Sequence, residues 1–188
     1  MTTATATMPK YILFDANIII ELYKLGVWGH LISRVEVIVP ATVARDEAFF
    51  YSNTEGGIPS PINLPELIKT GAIKEAIATV EEMAALENVF DTVFIKGLDA
   101  GEAEAIALLY SGSIGEPKFC TADKAAIQAL AMISRRDLCI SMELILRDCG
   151  LQQNVDSQFK EAFLKQWLDK GSQNLITGFG LNPKKLLF

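Results

Sequence analysis

At 188 residues, half of them hydrophobic, the chain is long enough to bury a substantial core in one domain with an appended lid or tail. A net charge of −6 counts against a general nucleic-acid coat protein, and a single histidine with three scattered cysteines leaves little material for a zinc site or a histidine-dependent triad. No apolar run approaches the ~18 residues of a membrane span, residues 1–7 lack the basic and apolar regions of a signal peptide, and an odd cysteine count without a C-x-x-C pair predicts a reducing cytoplasm.

In chain order, residues 11–15 form an apolar run that predicts a buried strand, with Asn17 placed to cap a helix over 18–25. The β-branched stretch 35–39 predicts a second strand, and Pro40 opens a helix over 41–51. A Gly/Pro-rich break at 56–61 begins a region, to about residue 97, that reads as a helical insertion with helices at 64–69 and 80–89. An Ala-rich helix is predicted at 101–110, a strand at 118–121, a helix at 125–134, a short strand at 138–141 and a helix at 142–148. An amphipathic helix over 159–168 and an irregular tail over 171–188 follow. Strands alternating with helices over the first 150 residues predict an α/β domain around a mostly parallel sheet, in which ligands gather at the carboxyl ends of strands.

Four carboxylates stand out against this pattern. Asp15 and Asp123 fall at the carboxyl ends of two predicted strands, while Glu47 and Glu104 fall inside predicted helices. Each has an ordinary explanation: Asp15-Ala16-Asn17 as strand-to-helix punctuation, Asp123 as a helix cap, Glu47 as a surface acid, and Asp99 and Glu102 as a first turn favoured by the helix dipole. Glu102 and Glu104 project to nearly opposite sides of their helix, so only one of them can face a single site. Periodicity does not settle which, because the helix is apolar almost all round; if anything it puts Glu102 beside Ile106 and Leu109. Acids brought together without a cation repel one another, and an oxygen-only ligand set suits Mg²⁺ or Mn²⁺.

The ordered set Asp15-x-Asn17, Pro40-x-Thr42-Val43-x-x-x-Glu47, Gly101-Glu102-Ala103-Glu104-Ala105 and Thr121-Ala122-Asp123-Lys124 resembles a PIN domain over residues 10–149. That family includes the toxin ribonucleases of VapBC-type toxin–antitoxin modules. The resemblance implies a three-layer α/β/α sandwich (residues 10–150, with the insertion at 56–97 and a C-terminal helix and tail at 151–188). It implies cleavage of single-stranded RNA with Mg²⁺ or Mn²⁺ held by Asp15, Glu104 and Asp123. Glu47 is then a ligand or the orienter of water, Thr121 an oxygen partner, and Asn17 and Glu102 secondary candidates. The family's acid-Ala step selects Glu104 over Glu102.

Arg45 and Lys124 are candidates for phosphate positioning, each within two residues of a proposed site acid. An antitoxin protein and a second copy of the chain are candidate partners. Two other readings stay open. One is an inactive PIN-like RNA- or protein-binding module, with the tail over the site. The other is a haloacid dehalogenase-type phosphatase, which needs a second Asp where Asn17 stands.

Overall fold

The computed structural model describes residues 11–54 and 57–185; the leader at 1–7, residue 56 of the Gly/Pro-rich break and the last three residues of the tail lie outside them. Four parallel strands form the central sheet: β1 (Tyr11–Phe14), β2 (Glu36–Pro40), β5 (Lys74–Ala76) and β6 (Lys118–Cys120), in the order β5-β2-β1-β6. Tyr11 lies opposite Glu36, Ile12 opposite Lys118, and Ile38 opposite Lys74. A short antiparallel hairpin, β3 (Phe50–Tyr51) with β4 (Ser60–Pro61), stands apart from this sheet.

The strands are apolar on both sides because helices cover both faces. Ile12, Phe14, Val37 and Val39 pack with α1 (Ala16–Lys24), α2 (Trp28–Ile32) and α8 (Met142–Asp148). Leu13, Ile38 and Phe119 face the other way, towards α4 (Val80–Glu87), α6 (Ala100–Ser111) and α7 (Lys124–Met132). The result is an α/β/α sandwich. Two short helices, α3 (Leu64–Lys69) and α5 (Thr92–Ile95), complete the region between the hairpin and α6. Among the described residues, no helix is long and apolar enough to cross a membrane.

Four expectations need correction. The region read as a helical insertion supplies the third parallel strand, β5. It is a three-residue edge strand whose Lys74 pairs with Glu36 at 2.7 Å and whose Glu75 binds Arg45. Charged side chains and brevity are how sheets protect an edge, and they hide the strand from a hydrophobic pattern. The helix expected over 41–51 is one π-helical turn, Val43–Glu47, closed by the Ala48 N–H on the Val43 carbonyl at 3.1 Å, after which the chain extends into β3. The strand expected at 138–141 shrinks to a single parallel bridge between Phe119 and Cys139, after a 3₁₀ turn at Arg136–Leu138. Asp15, and not Asn17, caps α1, leaving Asn17 exposed in its first turn.

The C-terminal helix α9 runs from Glu161 to Thr177, well beyond residue 168. Its Phe163, Leu164, Trp167 and Leu168 pack on Ile127 and Ala131 of α7. Lys124 lies over the Trp167 ring at 5.2 Å, and Asn174 donates to Gln128 at 3.0 Å. Gly171 makes this crossing close: a Cβ there would stand 2.6 Å from the Gln128 carbonyl oxygen. The aromatic face of this helix thus covers the chain's own core.

Candidate functional site

The sheet sets where a site can form. From β1 the chain steps outward through β2 to β5, then returns to place β6 on the other side of β1. Strand order therefore reverses between β1 and β6, where an open parallel sheet leaves a crevice at its carboxyl edge. Asp15 and Thr121 are the first residues beyond those two strands.

A hydrogen-bonded chain joins the two sides of the crevice. The Thr121 hydroxyl donates to Asp15 Oδ2 at 3.0 Å and accepts from the Asp123 N–H at 3.0 Å. Asp15 Oδ1 accepts from the Ala16 N–H at 2.7 Å. Asp123 Oδ1 accepts from Ala125 and Ala126 at 2.6 and 2.9 Å, capping α7. Both aspartates therefore serve as helix caps and also meet through Thr121.

The third wall is the N-terminal turn of α6. Asp99 and Glu102 form a reciprocal capping box: Asp99 Oδ1 accepts from the Glu102 N–H at 2.9 Å, and Glu102 Oε2 accepts from the Asp99 N–H at 3.1 Å. Burial, then the charges of Asp123, Asp15 and Asp99, push the Glu102 carboxyl up to about 9. Burial and the charge of Asp99 push Asp15 up to about 7, although the Thr121 hydroxyl favours its anion. Four acids thus share one field, and two of them are held well above the ordinary carboxylate range.

Glu47 stands behind this turn. Its Oε1 accepts from the Gly101 N–H at 2.8 Å, while its buried Oε2 has no hydrogen-bond partner among the described residues. Burial first, with the charges of Asp99, Asp46 and Glu104 adding to it, raises its pKa. Gly101 is required here, because a Cβ would collide with Glu47 Oε2 and lie 2.6 Å from Val43 Cγ2.

Glu104, expected from the resemblance to be the metal-holding acid of α6, does other work. Its Oε2 accepts from the Thr42 N–H at 2.7 Å and its Oε1 from the Ala78 N–H at 3.1 Å. Thr42 and Ala78 each lie just past the ends of β2 and β5, so Glu104 ties two strand ends together. Glu102 is the α6 acid whose carboxyl is coupled to Asp15 and Asp123. Asn17 forms no part of the hydrogen-bonded chain among Asp15, Thr121 and Asp123.

The basic residues proposed for phosphate positioning are engaged elsewhere. Arg45 grips Glu75 through two hydrogen bonds of 2.9 and 2.6 Å, and Lys124 sits on Trp167. Asp99, which the sequence marks only as a capping residue, is both a cap and a contributor to the raised pKa values of Asp15, Glu47 and Glu102. Its position one residue before an Ala-rich helix, close to Glu102, was the available signal.

Among the described residues, no three acidic, histidine or cysteine side chains converge closely enough to grip a single ion in this arrangement. The donor chemistry nonetheless suits a hard divalent cation. The acids offer only oxygen, two are held up by burial and mutual charge, and Glu47 keeps an unpartnered buried oxygen. No protein-family model matches the chain, and comparison with curated proteins and with solved structures likewise finds no match.

Proposed function

We propose that the chain is a cytoplasmic, metal-dependent endoribonuclease that cleaves single-stranded RNA, with Asp15, Glu102 and Asp123 the residues that would hold Mg²⁺ or Mn²⁺. The observation that carries this reading is the placement of Asp15 and Asp123 at the carboxyl edge of β1 and β6, joined through the Thr121 hydroxyl, with the Asp99–Glu102 capping box of α6 as the neighbouring acidic turn. Carboxyl groups raised by burial and by one another's charge give up their protons when a cation binds, so affinity for an ion rises with pH and binding releases protons. When bound, such an ion lowers the pKa of a coordinated water and offsets charge on phosphate oxygens.

The chain's own residues supply orientation. Thr121 fixes Asp15 through its hydroxyl, and two backbone N–H groups of α7 fix Asp123. The Asp99 N–H holds one oxygen of Glu102. Glu47, held through Oε1 by the Gly101 N–H, is the group we assign to orient the attacking water. The PIN-like order of motifs supports the same chemistry. It also supports a toxin role held in check by an antitoxin protein.

The test is incubation of end-labelled single-stranded RNA with Mn²⁺ or Mg²⁺. Internal cleavage that EDTA stops is the expected result, and Asp15→Asn and Asp123→Asn proteins of unchanged circular dichroism should lack it. Intact RNA with either ion, or variants that cleave like the parent, would contradict the proposal.

A further inference from the structure

A cavity of about 960 Å³ opens beside Asp99. Its walls come from three places: the α5 region with Thr92 and Lys96, the first turns of α6 with Asp99 and Ala103, and the chain after α9 with Asn182 and Lys184. That last wall is held by backbone pairing. The Asp91 N–H donates to the Gly180 carbonyl at 2.9 Å, the Asn182 N–H donates to the Val89 carbonyl at 2.9 Å, and Phe90 and Leu181 form an antiparallel bridge. Gly180, at φ +76°, lies against the Phe94 ring, where a Cβ would come within 2.8 Å.

Lys96 and Lys184 are both exposed, and among the described residues neither takes part in an ion pair. They differ in this from Arg45, Arg135 and Arg136, which pair with Glu75, Glu116 and Asp169. Of the acids along the cleft, Asp91 and Asp99 each commit an oxygen to capping α5 and α6. Glu87 lines it as well. The cleft therefore carries two lysines outside any ion pair among the described residues, one beside α5 and one after α9, and Asp99 of the acid cluster lines it too.

Resting on the ribonuclease reading, we propose that this cleft is the subsite that delivers the RNA strand to the acids, with Lys96 and Lys184 contacting its phosphates. A polyphosphate strand needs cations along its path and a cation-filled acidic end where it is cut, and the cleft offers that sequence of charges. The C-terminal segment is then part of the binding surface.

The test is fluorescence anisotropy with a single-stranded RNA of about 12 nucleotides, made with phosphorothioate linkages to resist hydrolysis and titrated in Mg²⁺ at several salt concentrations. A Lys96→Gln/Lys184→Gln protein should bind about tenfold more weakly at low salt. Its log Kd against log salt slope should fall by about 1.4, the loss of two single-strand phosphate contacts. A Lys69→Gln/Lys165→Gln control, altered on α3 and α9, should bind and respond to salt like the parent. A merely structural loss would lower the unfolding temperature without changing the salt slope.

Parent-like affinity and slope in Lys96→Gln/Lys184→Gln, with RNA still cleaved by the parent, overturns the subsite and leaves the nuclease standing. Equal weakening in the control also overturns it. A parent protein that neither binds nor cleaves RNA overturns both.

Discussion

Glu102 and Glu104 sit two residues apart on one helix and are almost equally buried, 3% and 6% exposed, yet they belong to different kinds of structure. Glu104 receives a backbone N–H on each oxygen, from the ends of β2 and β5. Glu102 receives one, from its own capping box, and otherwise faces the charges of Asp123, Asp15 and Asp99. Burial alone therefore does not mark a functional acid. A carboxylate whose oxygens are met by N–H groups stabilises the fold, whereas one set among other carboxylates destabilises it until a cation or a proton arrives.

Exchanging the two acids is the strongest way to break this contrast. Glu102→Gln, like Asp15→Asn, should lower RNA cleavage by about 10²- to 10³-fold in single-turnover assays while leaving the unfolding temperature at pH 8 unchanged or higher. Next in size is Glu104→Gln. Its amide has one acceptor oxygen where two N–H groups need partners, so chemical denaturation should show a loss of about 2–4 kcal/mol, with cleavage per folded molecule within a few-fold of the parent. Gly101→Ala comes third. It pushes a methyl into Val43 and Glu47, a collision expected to lower stability by about 1–3 kcal/mol and to weaken cleavage through Glu47.

The smallest and broadest effect is on pH dependence. Asp15 and Glu102 titrate in the fold near 7 and 9, against an ordinary range near 4 in the unfolded chain. Between those limits the folded state binds more protons than the unfolded state, so stability falls as pH rises from about 4 to 9. Thermal unfolding without divalent ions should show that decline, and Glu102→Gln should remove its upper part.

Much of the frame was readable in the sequence. Strands β1, β2 and β6 announced themselves, because a buried strand is a run of apolar residues and Asp15 and Asp123 interrupt such runs at the carboxyl edge. Strand β5 did not, since Lys74 and Glu75 make an edge strand look like a loop. The choice between Glu102 and Glu104 was hidden for a different reason. Helix α6 is buried nearly all round, so hydrophobic periodicity carries no direction there. Only the N–H groups of Thr42 and Ala78, from distant parts of the chain, separate the two roles. Arg45 was misread likewise, because its partner Glu75 lies on the strand that escaped notice.

Isothermal calorimetry of Mn²⁺ binding at pH 8, run in two buffers of different ionisation enthalpy, bears most directly on whether the acids at the β1/β6 edge form one cation site. The expected result is binding with proton release that disappears in Glu102→Gln and persists in Glu104→Gln. Absence of Mn²⁺ binding in the parent, or its loss in Glu104→Gln with retention in Glu102→Gln, would contradict that assignment.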